Sequence, residues 1–167
     1  MAIHKDFPVS PHEILDPEIR WFPADESLRD SSYEKLMPPL VPELRKEVKK
    51  WRAGGYPDIS NTSKTLLNHW FNSPHPITHA DGTISNFEYY FAQRESVETV
   101  IYLHEVVKVA DKYDLLRFSK SDAVSPKLFE ETWRRYVVKM ATGSGKTKTM
   151  SLLLAWSYFH KKYEEGS

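Results

Sequence analysis

Lys146 and Thr147 follow directly on a spaced glycine pair, in the run Ala141-Thr142-Gly143-Ser144-Gly145-Lys146-Thr147. Gly143 and Gly145 allow a tight turn whose successive N–H groups can face phosphate oxygens. A helix opening just after the pair adds unpaired amides and a positive dipole end. In such a loop the Lys146 ammonium reaches the β- and γ-phosphates and is the candidate catalytic group. The Thr147 hydroxyl is the candidate Mg2+ ligand. Ala141 through Thr147 thus form a candidate cofactor-binding set for a nucleotide's phosphates with Mg2+. The alternative for the same residues is a glycine turn that merely caps a helix.

The loop needs a strand before it and a helix after it. Arg134 to Met140 contains Tyr136-Val137-Val138, which suits a short buried strand. Lys148 to Glu165 contains no Gly or Pro and is rich in Met, Leu, Ala, Trp and Phe, so it reads as a long helix. That helix is apolar almost all round and therefore requires burial, which later strands of a parallel sheet would supply. Left to itself, one side would stay bare and lower solubility. The loop lies about twenty residues from the last residue given, so the expectation is a truncated nucleotide-binding domain.

Met140 stands where the fuller G-x-x-x-x-G-K-[ST] pattern has its first Gly. The run Met140 to Thr147 resembles motif I of superfamily 2 helicases. It is especially similar to that of the motor subunits of type I and type III restriction enzymes. Phe87-Glu88-Tyr89-Tyr90-Phe91-Ala92-Gln93, continuing to Glu105, resembles the Gln-bearing helix that precedes motif I in those motors. The resemblance implies that Gln93 reads the adenine edge and that Tyr90 or Phe91 packs on the base. Those motors often carry Arg three residues before the Gln, where this chain has Tyr90. Upstream, Pro38-Pro39-Leu40, Pro42, Trp51, Gly54-Gly55-Tyr56 and Asn68-His69-Trp70-Phe71 look like the N-terminal region of the DEAD/DEAH-type family described as restriction endonuclease subunit R.

That resemblance implies an ATP-driven DNA motor. It further implies a second core domain, an Asp-Glu motif for Mg2+, an arginine finger and a nuclease domain, none of which lies in these residues. DNA is the implied partner, with a methyltransferase or specificity subunit as a further one. The piece by itself is expected not to turn over ATP. A P-loop kinase or other phosphotransferase is the rival enzyme reading. A non-enzymatic scaffold domain is the rival outside enzymes.

Lys and Arg together number 23 and balance 23 Asp and Glu, so no global field draws the chain to nucleic acid. Cysteine is absent, which excludes a disulfide framework and a thiolate zinc site. No apolar run reaches 18 residues and the start does not read as a secretion signal, so a cytoplasmic protein without a membrane partner is expected.

The expected fold class is α/β: a mostly helical accessory region over 1–85, then the start of a RecA-like parallel-sheet domain over 86–167. Six prolines before Leu40 predict extended, surface-wrapping chain, anchored by Trp21 and Phe22. Pro42 opens a helix that Gly54-Gly55 ends, with Leu40, Leu44, Val48 and Trp51 as its apolar stripe. Arg45, Lys46, Lys49, Lys50 and Arg52 read as its solvated face, with DNA backbone as the alternative. Ser60 or Asn61 caps a second helix with Leu66, Leu67, Trp70 and Phe71 inward, ending at Asn72-Ser73-Pro74. Asp81-Gly82 marks a hairpin between Ile77 and Ile84. His75, His79 and Asp81 are read as incidental loop residues rather than a metal site. A helix from about Ala92 to Lys112 aligns Gln93 with Val97, Val100, Ile101, His104 and Val107. His104 is expected as a hydrogen-bonded core residue, and Glu95 and Glu98 as favourable charges near the helix start. Leu115 to Trp133 reads as a linker with a short helix from Lys127 to Thr132.

Overall fold

The computed structural model describes residues 10–13, 40–111, 113–119 and 137–166. Helix α1 spans Val41–Ala53 with Pro42 in its first turn, where a missing N–H costs nothing. Gly54 and Gly55 close it, and Gly55 takes φ +75°, a value that favours glycine. Helix α2 spans Asn61–Asn72, and the Ser60 hydroxyl accepts from the Ser63 amide as its N-cap. Strands β1 (Pro76–Thr78) and β2 (Ile84–Asn86) pair antiparallel with Ile77 opposite Ser85. Asp81 fixes the turn by accepting from the Thr83 amide and hydroxyl.

Helix α3 spans Phe91–Ile101 and runs on into a π-helical turn over Tyr102–Val106. It ends earlier than the expected Lys112. Lys108 adopts φ 56°, and the Val109 amide donates back to the Leu103 carbonyl. This is a left-handed helix terminus built on lysine, so no glycine announced it. A 3-10 turn follows at Tyr113–Phe118, and helix α4 spans Lys146–Tyr163.

A single apolar cluster joins these helices. Val48 and Trp51 of α1, Leu67 and Trp70 of α2, Val97 and Ile101 of α3, and Leu152 and Trp156 of α4 all belong to it. The cluster therefore draws on elements on both sides of residue 86. Each fully buried aliphatic or aromatic side chain contributes on the order of 1.5–3 kcal/mol.

The expected strand before the loop is not formed where it can be seen. Val137 to Met140 carry no strand, and Val137 is 85% exposed. A strand exists only when a neighbouring strand completes its hydrogen-bond ladder, and the segments beside Val137 and Val138 are the helices α1 and α3, which offer no such edge. Among the described residues the sheet is antiparallel and two-stranded, and no parallel sheet is present. Trp21, Phe22 and the helix expected at Lys127 to Thr132 lie outside the described residues. Among the described residues no helix is long and apolar enough to cross a membrane.

The basic side of α1 departs from the solvated-face expectation at two positions. Arg45 pairs with Glu95 at 3.1 Å, and Arg52 pairs with Glu98 at 2.5 Å. Glu98 is fully buried and also meets Arg94 at 2.8 Å and the Tyr56 hydroxyl at 2.6 Å. It is an interior ion-pair centre between α1 and α3, rather than a surface charge at a helix start. Burial, reinforced by the Glu98 charge and hydrogen bond, pushes the Tyr56 phenol well above its usual value.

Candidate functional site

The glycine loop leads directly into α4. Gly143 and Gly145 both occupy the left-handed region, at φ +80° and +78°. An L side chain at either position is strained by roughly 1–2 kcal/mol, which is why glycines stand there. Ser144 braces the turn through its hydroxyl, which donates to the Ala141 carbonyl at 2.6 Å.

Gly145 is the N-cap of α4, without any side-chain cap. Its carbonyl accepts from the Lys148 and Thr149 amides. Lys146 and Thr147, one and two residues into the helix, have no carbonyl one turn back to receive their amides. The first turn contains no acidic residue, and Lys146 and Lys148 both sit in it. Cations at a helix N-terminus oppose the dipole by roughly 0.3–1 kcal/mol each at an exposed site.

The Lys146 Nζ donates to the Met140 and Ala141 carbonyls, both at 3.0 Å, and so lies back across the loop. Ala141, Thr142, Gly143, Lys146 and Thr147 are exposed, and Ser144 and Gly145 are half-buried.

Gln93 comes to this loop from α3. It is buried, with its Nε2 donating to the Gly145 carbonyl at 3.2 Å and its Oε1 accepting from the Tyr90 amide at 2.8 Å. A Cβ on Gly145 would stand 2.1 Å from Gln93 Nε2. Glycine is favoured there by φ, and an added methyl group would in addition displace the end of the Gln93 side chain from the Gly145 carbonyl. The amide of Gln93 keeps one further N–H and one further lone pair beyond these two bonds.

The two aromatic candidates separate. Phe91 is only 1% exposed and lies beneath the guanidinium groups of Arg45 and Arg52, each 5.9 Å from its ring centre. It offers no free face to a base. Tyr90 is 37% exposed and packs against His12 at 5.1 Å. Phe87, not singled out from the sequence, lies 5.4 Å beneath the Lys148 ammonium and is half-buried. Its only sequence signal was membership of the aromatic run before Gln93.

The loop histidines make ordinary local contacts. His75 Nε2 lies 3.1 Å from the Trp70 carbonyl, and His79 Nε2 lies 2.7 Å from the Ser85 hydroxyl. His104 is not enclosed in the core as expected. It stands at the α3–α4 seam, against Trp156 and His160 at 5.3 and 5.4 Å between ring centres.

Residues 86–166 match the family model described as type III restriction enzyme, res subunit. No curated protein and no solved structure matches the chain.

Proposed function

We propose, from the match of residues 86–166 to the res-subunit family of type III restriction enzymes, which points to helicase-like ATPases, that this chain supplies the nucleotide-gripping part of an ATP-driven DNA motor. The amides of the glycine loop and the first turn of α4 hold the phosphates. Lys146 swings from the Met140 and Ala141 carbonyls to the β- and γ-phosphates. The Thr147 hydroxyl holds Mg2+, Gln93 selects adenine, and Tyr90 packs on the base. The proposed partner is DNA, with a methyltransferase subunit beside it, in the cytoplasm.

The observation that carries this reading is the Gln93–Gly145 contact. It joins a helix whose Gln can read a base edge to a loop whose amides can hold phosphate. A nucleotide bound by both spans the same seam. Titration of the chain with a fluorescent ATP analogue tests it. Saturable, Mg2+-dependent binding that Lys146→Ala weakens roughly 10–100-fold and that GTP competes for poorly is the expected result. Binding unchanged in Lys146→Ala overturns it. Loss of the preference for ATP over GTP in Gln93→Ala is the separate test of base selection.

A further inference from the structure

We infer that the far end of α4 carries a second, independent cation site, for a single Zn2+ held by His104, His160 and Glu165. His160 lies fourteen residues beyond Lys146 on the same helix, about 21 Å along its axis at 1.5 Å per residue, so the site is separate from the glycine loop.

The geometry is that of a ligand set. Glu165 Oε1 stands 3.5 Å from His160 Nδ1 and 3.9 Å from His104 Nε2. One nitrogen from each ring and one carboxylate oxygen all lie within 4.8 Å of one another. The two carboxylate–imidazole separations, 3.5 and 3.9 Å, lie near the roughly 3.3 Å edge of a tetrahedron with metal–ligand bonds of about 2.0–2.1 Å. Two imidazoles and a carboxylate, without sulfur, form a donor set that suits zinc and leaves a fourth position for water.

A second tier of contacts orients the ring on α4. Glu105 Oε1 lies 3.5 Å from the other nitrogen of His160, Nε2. A carboxylate there selects the tautomer that leaves Nδ1 free to ligate. Glu105 is itself fixed by the Ser60 amide at 2.7 Å and by the Ser63 hydroxyl, which accepts from Trp156 Nε1 at 2.7 Å. Adjacent residues of an α-helix diverge by about 100°. His104 and Glu105 nonetheless both meet His160, and they do so from within the π-helical turn, a distortion often found at functional sites. With the imidazoles neutral, the two carboxylates leave a local charge that a divalent cation neutralises. The bound ion would clasp the end of α4 to the π turn of α3.

The test is calorimetric titration of the metal-stripped 167-residue chain with Zn2+, paired with Co2+ absorption spectroscopy. One equivalent of Zn2+ with a higher melting temperature, and tetrahedral Co2+ bands in the visible, are expected. Glu165→Gln, a change at a half-exposed side chain, should weaken binding at least tenfold, and His104→Gln likewise. Glu105→Gln should weaken it about 10–100-fold through its effect on His160. Replacing His69 and His75 by Gln, on another part of the surface, should leave it unchanged. Failure to take up one equivalent, or uptake unaltered in both Glu165→Gln and His104→Gln, overturns the assignment.

Discussion

Gln93 and Gly145 touch across fifty-two residues of sequence, the side-chain amide of one donating to the main-chain carbonyl of the other at 3.2 Å. The contact couples the start of α3 to the start of α4, because the same carbonyl also accepts from the Lys148 and Thr149 amides of α4. Any movement of the loop is therefore felt by Gln93, and through its Oε1 by Tyr90.

The two loop glycines should respond unequally to alanine. At Gly143 nothing lies within 4 Å of an added methyl group, so only the backbone strain of roughly 1–2 kcal/mol applies. At Gly145 the same strain is joined by a collision with Gln93 Nε2. Thermal denaturation should show Gly145→Ala melting below Gly143→Ala. A Gly145→Ala, Gln93→Ala double variant should recover part of the difference.

Lys146→Ala should leave the fold almost untouched, since the side chain is exposed and touches only loop carbonyls. Losing a charge-assisted contact to phosphate removes about 1.5–3 kcal/mol of binding, or roughly a 10–100-fold drop in affinity. Melting temperature and nucleotide titration on the same sample separate the two effects.

Glu98→Ala should be among the most damaging single changes. It strands the guanidinium groups of Arg52 and Arg94 with no counter-charge at a buried position, a loss of roughly 3–5 kcal/mol. Urea denaturation measures it. Glu98→Ala combined with Arg52→Met and Arg94→Met should be less destabilised than Glu98→Ala alone.

Tyr56 sets an alkaline limit. Its folded-state ionisation lies above the ordinary value of 10.0 because of burial first and Glu98 second. A group raised in the folded state contributes stability that is full below the unfolded value and falls as pH climbs past it. Stability measured from neutrality upward should hold to about pH 10 and then decline. In Tyr56→Phe that decline should be shallower, although the variant starts lower for want of the hydrogen bond to Glu98.

The two sides of α4 should differ sharply. Leu152 is buried against the other helices, and Leu152→Ala should cost about 2–5 kcal/mol. Met150 and Leu154 are mostly exposed, and Met150→Ser or Leu154→Ser should stay within about 0.5 kcal/mol. Denaturant midpoints give the comparison.

Local rules were sufficient for the sequence to determine several features. Pro42, Gly54, Ser60, Pro74 and Asp81-Gly82 mark where elements start, stop or turn, because each acts through its own backbone and nearest neighbours. Helix periodicity picked out Val48, Trp51, Leu67 and Trp70 as core, and the glycine spacing placed the left-handed turns at Gly143 and Gly145. Tertiary structure alone decided what depends on distant partners. Arg45 and Arg52 look solvent-bound in a run of basic residues until α3 brings Glu95 and Glu98 against them. Phe91 looks as available as Tyr90 until those guanidiniums cover it. Val137 and Val138 look like a strand, yet a ladder needs a neighbour that a linear pattern cannot provide. The meetings of Gln93 with Gly145, and of His104 with His160, arise from the packing of α3 against α4. Burial and charge pairing between remote segments carry no periodic signature along the chain, so the fold had to form before these residues acquired their surroundings.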